Sequence, residues 1–309
     1  MRFSLQPAFF SGSAHAAKGI GKTMKASAKL LSYLLVAVLV AGSAAGRASA
    51  EENTVRIAYA KWSCATAASH VVKAVLTEKM GYDCRLAPMG AEALWLSTAS
   101  GDMDGFVCAW LPSLHQHFYA KTEYNVVDLG PNMEGTRVGL VVPDYVFVDS
   151  IAGLEANAEK FENRIVGIDP GAGIMRMTRQ AMKAYGISNM ELAAGSGAAM
   201  TEILAEKIKK HEWVVVTGWT PHWKFAKWEL RYLEDPKKIY GAAEAIHTVV
   251  RKDLKQDLPR VYRFLDNFRW TPGDIHQVMA MIHESGAPYE SAVKWVQAHP
   301  DKVAGWVGE

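Results

Sequence analysis

Three tryptophans stand where a predicted strand gives way to a loop: Trp62, Trp110 and Trp219. Ligands of open α/β sheets bind beyond the carboxyl ends of the strands, so we expect these side chains to face one cleft. Any single tryptophan, among the ten in the chain, is more often core packing than a ligand contact. Three at equivalent strand ends favour an aromatic box instead.

Such a box suits a cation that has no hydrogen to donate. A trimethylammonium group is apolar outside yet attracted to the negative faces of aromatic rings, at roughly 0.5–2 kcal/mol per contact. Sugars also stack on tryptophan, but a sugar site needs several polar side chains beside the ring. The neighbours here are Ser63, Cys64, Leu111 and Pro112, which are poor in such groups. The sequence therefore favours a quaternary-ammonium ligand.

A glycine-rich turn offers a partner for a carboxylate on the same ligand. Residues 167–174 read Gly-Ile-Asp-Pro-Gly-Ala-Gly-Ile, a strand end followed by a turn and a helix start. Helix starts present unpaired N–H groups and the positive end of the helix dipole. A plain glycine turn is the alternative. The stretch matches neither nucleotide-binding glycine motif, and we expect no cofactor. His115, five residues after Trp110, is a second candidate donor, although a lone histidine more often lies on the surface.

The cysteines give no sign of catalysis or metal binding. Cys64, Cys84 and Cys108 are an odd set, so at most one disulfide forms, and their spacings match no zinc module. Cys64 is a candidate for a small apolar wall of the pocket. The enzymatic alternative is a Cys/His hydrolase that uses Cys64 with His70 or His115, but no hydrolase motif surrounds Cys64. We expect a binding protein and no enzyme.

The first 50 residues predict a signal peptide. They hold six basic residues and no acidic one, an apolar run over residues 30–41, and Ala48-Ser49-Ala50 as a cleavage signature. Met24 is a candidate for the true start, and Glu51 for the first mature residue. The apolar run is short for a membrane span, and no cysteine stands at the cleavage point for lipid attachment. We expect a periplasmic protein.

Removal of this leader changes the charge argument. The full chain carries a formal charge of +2, whereas residues 51–309 hold 28 basic and 32 acidic residues, a net charge near −4. The basic excess belongs to the leader, and nothing indicates binding to nucleic acid.

Apolar runs and helical periodicity alternate along the remaining chain, which predicts an α/β fold with mainly parallel strands flanked by helices. We expect two lobes with the ligand in the cleft between them: residues 51–143 plus 246–309, and residues 144–245. Strands are expected at 55–60, 84–88, 105–109, 138–142, 165–168, 213–217 and 245–251, and helices at 65–79, 91–100, 174–185 and 198–209. Helices separated near residues 286–288 and 299–300 are expected to pack back on the first lobe.

Several longer motifs resemble one family. They are Ala-Trp-Leu-Pro-Ser-Leu-His at 109–115, Gly-Ala-Gly-Ile-Met at 171–175 and Val-Thr-Gly-Trp-Thr-Pro-His-Trp-Lys-Phe-Ala-Lys at 216–227. Tyr-Leu-Glu-Asp-Pro-Lys at 232–237 and Leu-Asp-Asn-Phe at 265–268 extend the match. From about Thr54 onwards the chain resembles the glycine betaine substrate-binding proteins of the OpuAC type.

The resemblance implies a type II-like periplasmic binding protein that closes its lobes on a betaine and delivers it to an ABC permease and its ATPase. It implies that Trp62, Trp110 and Trp219 box the cation, while His115 and the N–H groups of Gly173 and Ile174 hold the carboxylate. A monomer is expected.

The chain departs from this pattern after the first tryptophan. Relatives often carry an acidic residue two or three positions on, and choline-preferring ones use it, whereas Ser63, Cys64 and Ala65 stand here. A choline- or carnitine-type ligand is the alternative within the family. A binding domain that serves a sensor is the alternative outside transport.

Overall fold

A nine-stranded mixed sheet runs through the residues that the computed structural model describes, 53–241 and 244–308. Its strands are β1 (Thr54–Tyr59), β2 (Asp83–Pro88), β3 (Gly105–Leu111), β4 (Val126–Pro143), β5 (Arg164–Val166), β6 (Glu191–Ala193), β7 (Val216–Thr220), β8 (Leu230–Tyr232) and β9 (Glu244–Arg251). The predicted signal peptide lies outside the described residues.

Helices cover the sheet. They are α1 (Ser63–Ala74), which continues as a π-helical turn (Val75–Lys79), α2 (Ala91–Ser100), α3 (Gln116–Thr122), α4 (Gly173–Tyr185), α5 (Gly197–Lys209), α6 (Lys224–Lys227), α7 (Leu254–Asp257), α8 (Pro259–Asn267), α9 (Pro272–Ser285), α10 (Pro288–Ala298) and α11 (Pro300–Val307). Two 3-10 segments, Ile151–Gly153 and Glu155–Phe161, precede β5. Within the described residues, no helix is long and apolar enough to cross a membrane.

The strand order is β2-β1-β3-β9-β4-β7-β5-β6, with β8 paired to β4. Parallel pairs lie towards both edges: β1 with β2 and β3, and β5 with β6 and β7. The central pairs, which join β9 and β4 to their neighbours, are antiparallel. The fold is the predicted α/β arrangement, with the addition that β9 and β4, which connect its two halves, run antiparallel to their neighbours.

The long strand β4 joins the two halves of the sheet. Its first part, up to Thr136, pairs with β9, and the part from Arg137 to Pro143 pairs with β7 and β8. Strand β9 returns the chain beside β3. The partners of β4 therefore change at Thr136/Arg137, a few residues before the predicted lobe limit at 143, and that limit stays a prediction.

Most of the predicted elements are present, with small shifts at their ends. Helix α2 has the predicted bounds and ends at Gly101, whose φ of +84° places it in the left-handed region that glycine adopts freely. The predicted helix at 65–79 starts at Ser63 and changes to π-helix at Val75. Strand β7 starts later than predicted and continues through Trp219 to Thr220.

The last helices pack as predicted, since α9 and α10 lie against α1. Large rings fill the space between α8, α10 and α11. Trp295 stacks on Trp306 at a centroid distance of 5.9 Å, and Phe268 contacts Trp306 edge-on at 4.9 Å. The indole N–H of Trp306 donates to the carbonyl oxygen of Arg269 at 2.8 Å. These tryptophans are structural.

Candidate ligand-binding site

The three strand-end tryptophans line one small cavity. Trp62, Trp110 and Trp219 are 8%, 2% and 5% exposed, and their side chains line the cavity together. The other residues that line it are Leu114, Val138, Ile168, Ala172, Gly173 and Ile174. The structure thus brings the predicted box and the predicted glycine turn to the same place.

Each tryptophan is positioned by backbone structure. Trp62 is the N-cap residue of α1, and its carbonyl oxygen accepts the N–H of Thr66 at 2.8 Å. Trp110 lies in β3 opposite Ile246 of β9, and Trp219 lies in β7 opposite Val138 of β4. The rings therefore come from both halves of the sheet and are held by strand register or a helix start.

The start of α4 faces the same cavity. Its N-cap residue is Ala172, whose side chain cannot accept a hydrogen bond, so no side chain caps the first turn. The first free N–H groups of α4 belong to Gly173 and Ile174, which line the cavity. This helix start has the geometry of an anion-binding site.

Gly173 is required by a close approach of two chain segments. A Cβ added at Gly173 would lie 2.7 Å from the carbonyl oxygen of Leu114 and 3.3 Å from Cδ2 of His115. Because the first contact is with backbone, a larger residue would push α4 away from the loop after β3. The glycine therefore lets the start of α4 pack directly against Leu114 and His115.

His115 is fully buried, and its protonation state follows from its contacts. The N–H of Trp110 donates to Nδ1 at 3.1 Å, so the neutral ring carries its proton on Nε2. Burial, with smaller effects from the charges of His117 and Arg176, lowers the pKa of His115 to about 3. Nε2 has no hydrogen-bond partner among the described residues. His115 is therefore a neutral donor with an unsatisfied N–H, and it is not among the residues that line the cavity.

The loop that carries His115 is held from two sides. The carboxylate of Glu244, which is 2% exposed, accepts the N–H of Ser113 at 3.0 Å and that of Leu114 at 3.4 Å. Arg176 of α4 donates to the carbonyl oxygens of the same two residues, at 3.4 and 3.3 Å. These bonds tie the loop after β3 to both β9 and α4.

Cys64 lies beside the box and outside the residues that line it. It borders a neighbouring small cavity together with Cys108, and its role as a pocket wall stays a prediction. The indole N–H of Trp219 lies near enough to lower the pKa of the Cys64 thiol slightly, yet it has no partner within hydrogen-bonding geometry in the described part of the chain. Like the Nε2–H of His115, the indole N–H of Trp219 is therefore left without a hydrogen-bond partner among the described residues.

The cysteines lack the setting of a nucleophile. All three thiols are free and buried, and burial raises the pKa of Cys64 to about 11 and of Cys84 and Cys108 to about 12. His70 shares a hydrogen bond of 2.9 Å with the Thr66 carbonyl of its own helix, and His115 is held by the Trp110 N–H. No described histidine forms a hydrogen bond with Cys64, so the arrangement does not match a Cys/His hydrolase.

Sequence reasoning missed several apolar walls and supports. Val138 and Ile168 were recognised as strand residues, and the β4–β7 register that sets Val138 beside Trp219 has no local signal. Glu244 and Arg176 were not predicted at all, because their partners lie more than 60 residues away in the chain.

Comparisons with known proteins identify the family of this chain. Residues 53–298 match the family model described as the substrate binding domain of the ABC-type glycine betaine transport system. The chain is similar to the glycine betaine/carnitine transport binding protein GbuC of Listeria monocytogenes, with 49% identity over 150 residues, which are 48% of this chain and 50% of that protein. That match spans about half the length of the relative.

Solved structures extend the likeness over the whole fold. Lactococcal OpuAC, in its closed conformation with glycine betaine, has a TM-score of 0.79 and 39% identity, covering 82% of this chain and 99% of that one. The glycine/betaine/L-proline-binding protein ProX of Borrelia burgdorferi has a TM-score of 0.79 and 38% identity, covering 82% and 96%. The chain belongs to the family of substrate-binding domains of ABC-type glycine betaine transport systems, which is a transport family and not a class of enzymes.

Proposed function

We propose that this protein captures glycine betaine and presents it to a membrane permease driven by an ATPase. The observation that carries the proposal is one cavity lined by three tryptophans and by the uncapped start of α4. The rings suit a methylated cation, and the free N–H groups suit a carboxylate. Glycine betaine carries both groups on one small molecule.

In this proposal the ligand lies with its ammonium group among Trp62, Trp110 and Trp219. Its carboxylate accepts the N–H groups of Gly173 and Ile174 and the Nε2–H of His115. Since the described residues leave Nε2 of His115 without a partner, a ligand oxygen satisfies a buried donor that otherwise costs free energy. Ligand binding should therefore favour the closed arrangement of the two lobes.

Calorimetry with a ligand series tests this assignment. Glycine betaine, proline betaine, carnitine, choline and dimethylsulfoniopropionate differ in the cation, the carboxylate or the spacing between them. We expect glycine betaine to bind, and choline to bind at least about tenfold more weakly, because choline leaves the α4 start and His115 without an acceptor. No heat with any member would overturn the proposal, and equal affinity for choline would remove the carboxylate part of it.

Carnitine is the second candidate, since the similar GbuC protein is named for glycine betaine and carnitine. Carnitine keeps both charged groups but separates them by a longer chain. We expect it to bind less tightly than glycine betaine, because the tryptophans and the α4 start border the same small cavity. The same titrations decide the order.

We further propose a periplasmic monomer without enzymatic activity. The predicted signal peptide supports export, and the raised thiol pKa of Cys64 speaks against nucleophilic chemistry. Light scattering of the purified mature protein, fractionation of the producing cells, and a search for turnover of bound glycine betaine are the corresponding measurements. A dimer would contradict the proposed monomeric state, a cytoplasmic location would contradict the proposed export, and a reaction product would contradict the proposed lack of enzymatic activity.

A further inference from the structure

A buried lysine lies behind the box. Lys224, the first residue of α6, is 0% exposed. Its ammonium group donates to the carbonyl oxygen of Thr217 at 3.1 Å and lies 4.0 Å from the sulfur of Met200. Within the described residues no carboxylate forms an ion pair with it. A buried cation with a single neutral acceptor is costly, so its position needs an explanation.

The ammonium group of Lys224 lies over a ring of the box. Nζ is 5.0 Å from the centroid of Trp219, a distance at which a cation is attracted to the ring. Trp219 lines the cavity together with Trp62 and Trp110, whereas Lys224 does not. The ring of Trp219 therefore borders the cavity and also contacts a charge supplied by the protein.

The other groups around Lys224 are neutral. Met200 faces it from α5, Thr217 and Gly218 face it from β7, and Phe225 follows it in α6 at 5.7 Å from Nζ to the ring centroid. The nearest titratable group is His222, whose Nδ1 accepts the N–H of Lys224 at 3.1 Å. Burial, the charge of Lys224 and that of His276 in α9 all hold the pKa of His222 well below its usual value. Among the described residues, no negatively charged neighbour therefore compensates a charge on Lys224.

We propose that Lys224 makes ligand binding proton-linked: its ammonium charge on the Trp219 ring disfavours a second cation in the box, and ligand binding releases that proton. This inference rests on the proposed capture of a quaternary ammonium. When the ligand binds, the ammonium group of Lys224 becomes a neutral amine that keeps its hydrogen bond to Thr217. The released proton passes to the buffer.

Burial makes this exchange accessible near neutral pH. Loss of hydration lowers the pKa of Lys224 to about 7, so the charged and neutral forms are both populated there. Two unit charges about 10 Å apart, at an effective dielectric constant of about 20, change the binding constant on the order of tenfold, and attraction between Lys224 and the ligand carboxylate makes this factor an upper limit. Affinity should therefore rise, by up to about that factor, as the pH increases through 7.

The other titratable groups of the site do not produce the same effect. His115 has a pKa of about 3 and stays neutral, and the ligand carboxylate stays ionised throughout the range of the test. Lys227 lies 5.4 Å from the centroid of Trp223 and 5.2 Å from that of Trp228, which are outside the box, and its side chain is exposed. Lys227 is the matched control.

The test is glycine betaine calorimetry on the mature protein from pH 5.5 to 9, in pairs of buffers with different ionisation enthalpies. The wild type should bind more tightly at pH 8.5 than at pH 5.5, by up to about tenfold, and should release up to about half a proton per ligand near pH 6.5. Lys224→Met should bind with the same affinity at every pH and release no proton, and Lys224→Gln, which keeps a donor for Thr217, should behave likewise. Lys227→Met should follow the wild type.

The outcomes separate the two proposals. If glycine betaine does not bind at any pH, the proposed function fails. If it binds to the wild type with constant affinity and no proton release, only the role of Lys224 is overturned, and this measurement needs no variant. Retention of the wild-type pH dependence in Lys224→Met or Lys224→Gln would overturn it as well.

Discussion

The two halves of the sheet end in the same short pattern but use it differently. Trp110-Leu111-Pro112 closes β3 and Trp219-Thr220-Pro221 closes β7, and both bonds to proline are cis. A neutral histidine follows each: His115 accepts the N–H of Trp110, and His222 accepts that of Lys224, both at 3.1 Å. Each strand end therefore presents one tryptophan to the cavity and fixes one imidazole by a backbone bond.

The difference lies in how each end treats buried charge. The end of β3 is held by the Glu244 carboxylate and by Arg176, and the N–H of its neutral His115 has no partner among the described residues. The end of β7 holds Lys224 without a described carboxylate. A compensated end is rigid and insensitive to pH near neutrality, whereas an uncompensated one responds to protonation. The comparison predicts which changes alter binding at every pH.

Removal of a ring from the end of β3 should have the largest effect. Trp110→Ala deletes a buried wall of the box, and we expect at least about 30-fold weaker binding of glycine betaine by calorimetry. Trp213→Ala removes a tryptophan that packs on Phe161, away from the box, and should leave the affinity unchanged. Unaltered affinity in Trp110→Ala would contradict the box.

The second largest effect on ligand affinity is expected from adding a methyl group at the start of α4. In Gly173→Ala the new Cβ meets the Leu114 carbonyl oxygen at 2.7 Å, so the helix and the loop after β3 separate. We expect about tenfold weaker binding.

Gly197→Ala is the matched control, because Gly197 begins α5 and an added Cβ there meets nothing within 4 Å. It should keep full affinity and add roughly 0.4–1 kcal/mol of stability. Equal affinity in the two variants would mean that the α4 start does not contact the ligand.

The protonation state of Lys224 should also affect how the free energy of unfolding depends on pH. Its folded-state pKa of about 7 lies below the unfolded value, so the unfolded chain binds more protons between about pH 7 and 10, and the free energy of unfolding rises with pH there. We expect Lys224→Met to lack this rise, a difference of roughly 1.5 kcal/mol between pH 7 and 8.5 in urea unfolding without ligand. Parallel curves for the two proteins would show that the buried lysine keeps its ordinary pKa and stays charged over this range.

The smallest effect is expected for the support of the β3 end. Glu244→Gln keeps the size of the side chain but replaces a charged acceptor of the Ser113 and Leu114 N–H groups with a neutral one. We expect binding about fivefold weaker than in the wild type, and this ratio should be the same at every pH. Glu234→Gln changes an exposed carboxylate and serves as the control. A loss of affinity in Glu244→Gln that changes with pH would contradict the proposed difference between the end of β3 and the end of β7.

Much of the site follows from local sequence. The tryptophans at strand ends, the Gly-Ala-Gly turn before α4 and the histidine after Trp110 are each recognisable within a few residues, because strand ends and helix starts are set by local preferences. Of the predicted site residues, Trp62, Trp110, Trp219, Gly173 and Ile174 line one cavity, whereas His115 is not among the lining residues. Local patterns also predicted the α/β class, since alternating apolar runs and helical periods leave few other arrangements.

What only the tertiary structure decided are the relations between distant segments. The pairing of β4 with β9 and then β7, the Glu244 contact with the loop after β3, and the position of Lys224 behind Trp219 join residues that have no common local pattern. In the sequence, Lys224 is one lysine among the 34 basic residues. Its burial, which lowers its pKa, exists only after β7 and α5 pack around it. The residue types suited to a betaine can therefore be recognised from the sequence alone. The electrostatic environment of the box arises only from tertiary packing.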